Sequence, residues 1–337
     1  MSIDRRAFLA AAGGLGVAGA FSIGTGFAIA QGTAPVRLGE AKGAGQSAEF
    51  VLASHDGLFK KRGLDVTLSP FGSGAAMGPA LVAGSLDIIA TGDVPGIPLM
   101  SAMGGAIKAL CPLSEFSADQ AIVVGKKIKQ PQDLKGAKIA LYKGSVATLL
   151  IERYAAQNGL KTEDITLIHM DPVQQPPALA NGDIDGYVSW EPHIWSATKR
   201  FPESRVLARG DEPKRYISAY NLLLVREPFL KENRETVKLF VAALVEALEE
   251  LNKDPNVANR TAVYIRDILG VDIAADVLAV MMKRRKYTMS ITPEFIAAEK
   301  VNTDFLFDLG RLKTKPDIMS WLDPSVLREV RPDMVTI

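Results

Sequence analysis

Two Gly-Ser steps, Gly72-Ser73 and Gly144-Ser145, each stand between a run with strand character and a run that favours helix. A strand that turns into a helix leaves the first helical N–H groups unpaired and the positive end of the helix dipole facing outward. Each step is therefore a seat for an anion, and Ser73, Gly74, Gly144 and Ser145 are candidate ligand-binding residues. Gln46 and Ser47 join them as the polar end of the glycine-rich stretch Glu40 to Ser47. Asp93, Trp190 and Glu191 complete the set, because each is delivered at the end of an apolar strand. Micromolar capture needs about 8 kcal/mol. Charge-assisted hydrogen bonds at about 1.5–3 kcal/mol each and helix N-termini at about 0.3–1 kcal/mol reach that sum without lysine or arginine.

No catalytic group, cofactor site or metal site is read. The chain has one cysteine, Cys111, and three scattered histidines, His55, His169 and His193. It lacks the G-x-S-x-G elbow, the phosphate loop and H-E-x-x-H. Gly14-Leu15-Gly16-Val17-Ala18-Gly19 fits the dinucleotide fingerprint by letter, but no strand precedes it. Cys111, between Leu110 and Pro112, reads as a small buried hydrophobe.

The elements that position these residues repeat. Ala178 to Pro192 reads as a short helix closed by Gly182, an acidic step into a buried strand, then Trp190 and Glu191 at its end, with Pro192 as the stop. The same order runs from Ala80 to Asp93, through Gly84 and Asp87. Leu64 to Phe71 and Ala137 to Tyr142 read as matching strands ahead of the two Gly-Ser steps. A length of 337 residues also exceeds what one core usually serves. The expected fold is α/β and two-lobed, each lobe a parallel-dominated sheet flanked by helices, with ligand gathered at the carboxyl ends of the strands. Ala121 to Val124 and Tyr220 to Val225 read as two crossover strands forming a hinge. They set lobe I at residues 31–121 and 221–337 and lobe II at 122–220.

Ala48 to Leu58 reads as one helix, and Thr236 to Leu251 as another whose apolar stripe is packing. Thr292-Pro293-Glu294 is a helix start. The basic run Lys283 to Lys286 reads as a solvated face or a docking patch. A hydrophobic content of 47% with 23% charged residues is that of an ordinary globular chain.

Residues 1–30 stand apart. Asp4-Arg5-Arg6-Ala7-Phe8-Leu9 resembles the twin-arginine export signal, and Ala28-Ile29-Ala30 has the small-x-small form of a cleavage site. Export to the periplasm with cleavage after about Ala30 is expected. The formal net charge of +1 is carried by Asp4, Arg5 and Arg6, so the remainder is neutral. No nucleic-acid partner is implied.

Taken together, Asp56 to Val66, Ala80 to Asp87, Asp133 to Ala140, Gly144-Ser145, Gly182 to Asp185 and Trp190-Glu191-Pro192 resemble the periplasmic solute-binding proteins of ABC importers, in the nitrate/sulfonate/taurine-type branch. The resemblance implies a type II-like periplasmic binding protein, a monomer that closes on a small-molecule ligand in the cleft and hands it to a permease in the inner membrane. If Asp93 and Glu191 both reach the cleft ionised, a plain anion is repelled, and an aminosulfonate or similar zwitterion such as taurine fits better. Otherwise Glu191 bonds backbone amides at the hinge and Asp93 caps a turn. Trp190 either walls the cleft or packs on its own lobe. The same branch resembles receptors for a thiamine pyrimidine precursor and related pyrimidine synthases. The latter depend on a cysteine-rich motif that one cysteine does not provide.

Overall fold

The computed structural model describes residues 34–42, 48–213 and 215–337. Gln46, Ser47 and residues 1–30, read as an export signal, lie outside the described residues.

The chain begins in a mixed sheet whose parallel part is β1 (Val36–Ala41), β2 (Val66–Phe71) and β3 (Ile88–Gly92), with β1 between the other two. It continues through β4 (Ile107–Glu115) in that sheet, then enters a second sheet with β5 (Gln120–Val124). There β6 (Lys138–Leu141) lies parallel to β7 (Thr166–His169) and β8 (Gly186–Trp190), and β5 runs antiparallel to β8 and to β9 (Arg205–Arg209). The chain then returns to the first sheet as β10 (Tyr220–Arg226), antiparallel to β3 and β4, and β11 (Lys286–Tyr287) pairs with β4. Helices cover both sheets, as buried parallel strands require.

The repeated acidic step does one job twice. Asp87 Oδ2 accepts from Arg37 N at 3.0 Å while Asp87 N donates to Arg37 O at 2.8 Å. Asp185 Oδ2 accepts from Lys138 N at 3.0 Å while Asp185 N donates to Lys138 O at 2.9 Å. Each aspartate fastens the incoming strand to the start of the central strand, β1 or β6. This joint shows which strands correspond: β6 is the counterpart of β1. The sequence-level pairing of Leu64 to Phe71 with Ala137 to Tyr142 is off by one strand, because both runs end in Gly-Ser and neither pattern encodes sheet order.

The two strands read as crossing between sheets each lie wholly within one. Ala121 to Val124 is β5 of the second sheet and Tyr220 to Val225 is β10 of the first, so the crossings fall between β4 and β5 and between β9 and β10. The expected helix from Ala48 is two, Ala48–His55 and Leu58–Lys61, broken where Gly57 takes φ 70°. The stripe from Val237 to Leu251 is buried throughout in the helix Arg234–Lys253. Thr292 caps the helix Pro293–Asp308 through its Oγ1, which accepts from Phe295 N at 3.3 Å. Cys111 is buried in β4.

Candidate functional site

A cavity of about 50 Å³ opens where the carboxyl ends of the parallel strands of the two sheets face each other. The first sheet contributes Ala41 at the end of β1, Gly72, Ser73 and Gly74 after β2, and Gly92 at the end of β3. From the second come Tyr142 and Ser145 after β6, and Trp190 at the end of β8. Phe116 and Gln120, on either side of the first crossing, close the space between them. Open α/β sheets place ligands at such strand ends.

Ser145 is the N-cap of the twelve-residue helix Val146–Gln157. Its Oγ accepts from Ala147 N at 3.2 Å and donates to Tyr142 O at 2.8 Å, so the hydroxyl is already engaged. What it offers an anion is the helix terminus it organises. Gly144 makes the turn before it at φ 86°, although Ser145 is the residue that lines the cavity. The seat at Gly72-Ser73 is weaker than expected. Only the 3-10 turn Ala75–Met77 and the five-residue helix Gly78–Val82 follow it, and so short a run carries little dipole. Ser73 Oγ accepts from Ala76 N at 3.3 Å. Gly74 is required by packing, because a Cβ there would stand 2.5 Å from Thr91 Oγ1 and 3.2 Å from Thr91 Cα on the neighbouring strand.

Asp93 and Glu191 are spent on structure. Asp93 is fully buried; Oδ1 accepts from Val94 N at 2.7 Å, and Oδ2 accepts from Tyr220 N at 2.8 Å and Asn302 Nδ2 at 2.9 Å. Burial pushes its carboxyl up, and burial beside Asp93 raises that of Glu299 as well. Glu191 Oε2 accepts from Trp195 N at 2.9 Å, and Oε1 stands 3.4 Å from Arg209 Nη2. Among the described residues no carboxylate lines the cavity, so the electrostatic ground for a cationic ligand tail is absent there. His193 is packed instead of exposed: burial lowers its imidazole to about 4, and its ring meets Trp190 edge-on at 6.2 Å.

Sequence reasoning passed over Lys42, Phe116, Gln120 and Tyr142. Tyr142 follows the last residue of a parallel strand, so the strand-end rule would have found it. Gln120 begins β5, which runs antiparallel to its neighbours and so brings its amino end to the ligand side. Lys42 lines the cavity, yet its Nζ lies 3.9 Å from where a Cβ on Gly270 would stand, after the helix Pro255–Leu269.

The whole arrangement has relatives. A pattern described as NMT1/THI5 like matches residues 44–258. An Escherichia coli protein named for binding aliphatic sulfonates is 29% identical over 90% of this chain and 93% of its own. The Escherichia coli taurine-binding periplasmic protein is 26% identical over 61% of this chain and 64% of its own. The crystal structure of the periplasmic aliphatic sulphonate binding protein SsuA from Escherichia coli superposes with a TM-score of 0.70 at 26% identity, covering 85% of this chain and 91% of that one. The periplasmic nitrate-binding protein NrtA from Synechocystis, at 13% identity and a TM-score of 0.72 over 89% of each chain, shares the fold. Its two mixed sheets are thus those of a periplasmic binding protein, and the chain belongs to the NMT1/THI5-like family.

Proposed function

We propose that this chain is a non-enzymic periplasmic receptor that captures a small organic sulfonate between its two sheets and delivers it to an ABC permease. The observation that carries this reading is the cavity itself, where the capped terminus at Ser145 faces the Ser73 turn across aromatic walls from Phe116, Tyr142 and Trp190. A polar end that favours negative charge and an apolar side suit an anionic head with a carbon tail. The relatives named for sulfonates and taurine support the same ligand class. In this reading the first sheet with its helices is one lobe and the second sheet the other. The lobes close about the connections between β4 and β5 and between β9 and β10, and residues 1–30 direct export.

Thermal unfolding with a ligand panel tests this. Ligand at a hundred times its Kd stabilises by about 2.7 kcal/mol, and about 2–4 °C accompanies each kcal/mol in a chain of this size. Short alkanesulfonates should raise the midpoint while nitrate and dicarboxylates do not. A shift with an aminopyrimidine alone would replace the sulfonate by a ring stacked on Trp190. No shift with any of these would overturn the ligand class.

A further inference from the structure

Gln120 brings to this cavity a buried oxygen without a partner among the described residues. It is 1% exposed, it lines the cavity, and its Oε1 has no hydrogen-bond partner among the described residues. Its backbone is fixed, since Gln120 O accepts from Gly210 N at 3.0 Å and the residue stands in register with Trp190 across β5 and β8. A buried acceptor without a donor is costly, and native structures rarely keep one that nothing satisfies. Ala75, Pro95, Phe116 and Val146 give the cavity an apolar side. The enclosed space, about 50 Å³, is small and suits a short ligand.

We infer that Gln120 reads the ligand's tail, and that this tail carries an uncharged donor, a hydroxyl or an amide N–H, on a short carbon chain behind the sulfonate. The inference rests on the sulfonate reading above and narrows it. A plain alkanesulfonate leaves Oε1 unpaired. An ammonium gives Oε1 a donor, yet it buries a charge where no described lining residue is a carboxylate. A hydroxyl satisfies Oε1 without that cost. Sites built around one buried acceptor discriminate strongly against the analogue that lacks the donor.

Calorimetric titration of the purified protein with 2-hydroxyethanesulfonate, ethanesulfonate and taurine tests this. The hydroxyl compound should bind at least about tenfold more tightly than ethanesulfonate, and more tightly than taurine. In Gln120→Leu the ratio between hydroxyethane- and ethanesulfonate should fall to about one, and Gln120→Glu should move the preference to taurine. Equal affinities for hydroxyethane- and ethanesulfonate in the unaltered protein would overturn the inference while leaving a sulfonate receptor intact. So would a Gln120→Leu variant that weakens both alike, since the amide would then be contacting the sulfonate. A preference for taurine that survives Gln120→Leu would assign the tail to another residue. Absence of binding by all three would overturn the sulfonate reading, and the inference with it.

Discussion

Arg285 forms an ion pair with Asp119 in which both side chains are fully buried, and it ties the segment before β11 in the first sheet to the crossing that leads into the second. The crossing is held from the other side as well, since Arg209 Nη1 donates to Ala118 O at 3.0 Å and Glu191 N donates to Asp119 O at 3.2 Å. Removing one member of a buried pair strands the other charge and costs about 3–5 kcal/mol. Arg285→Met and Asp119→Asn should therefore each lower the urea midpoint strongly. The double variant should be more stable than the sum of the single losses predicts. Additive losses would show that the pair is not coupled.

Glu49 lies in the same neighbourhood, and burial pushes its carboxyl up to about 8, with Arg285 pulling the other way. A folded value raised above the unfolded one near 4.5 means that the native state holds a proton the unfolded chain has released. This contribution to stability is complete below about pH 4.5 and is lost as pH rises through about 8. The slope reaches about 1.4 kcal/mol per pH unit where only the native state is protonated. Glu49→Gln should flatten the fall in unfolding free energy between pH 5 and 8. An unchanged slope in that variant would assign it to Asp93, Glu299 and Asp119, whose carboxyls burial also raises.

Arg285 also marks where the sequence stops being readable. It sits in the run Lys283 to Lys286, which by composition is a solvated face, yet its side chain is fully buried. One-dimensional charge patterning carries no information about a carboxylate 166 positions earlier, at Asp119. Asp93 and Glu191 mislead in part for the same reason: beside the local Val94 N and Trp195 N, they take Tyr220 N, Asn302 and Arg209 from other segments. What is local was legible. The Gly-Ser turn at Ser145, the glycine-closed helix before β8, the packing stripe from Val237 to Leu251 and Trp190 at a strand end all follow from short-range rules. Among the cavity residues missed, Gln120 depends on a strand that runs antiparallel, and periodicity does not encode that.

The Ser145 cap separates fold from binding. Ser145→Ala removes the acceptor for Ala147 N and should cost about 1 kcal/mol of stability. Ser145→Asp keeps an acceptor at the N-cap and should melt close to the unaltered protein. Its carboxylate nevertheless occupies the end of the helix that an anionic ligand needs. Sulfonate binding should be lost in Ser145→Asp and retained, weakened, in Ser145→Ala, as read by calorimetry beside circular-dichroism melts. Undiminished binding by Ser145→Asp would remove this terminus from the site.

The repeated joints at Asp87 and Asp185 make the same backbone contact but differ in what else they hold. Asp87 is buried and also accepts from Arg37 Nε at 2.8 Å and Nη2 at 2.6 Å, and from Arg226 Nη2 at 2.7 Å. Among the described residues the Asp185 carboxylate has, beyond its backbone partner, the exposed Lys127 Nζ at 2.8 Å. Burial raises the Asp87 carboxyl, but the hydrogen bonds from Arg37 and Arg226 outweigh it and hold the group below its usual range. A depressed folded value contributes stability above the unfolded one near 3.8, and that stability is lost as pH falls through the folded value. Asp87→Asn should thus cost about 2–3 kcal/mol at pH 7, against about 1 kcal/mol or less for Asp185→Asn, whose extra partner is solvent-screened. The deficit of Asp87→Asn should shrink on acidification toward pH 3. Equal costs for the two variants at pH 7 would mean that the backbone joint, and not the two arginines on the buried carboxylate, carries the stability of the first sheet.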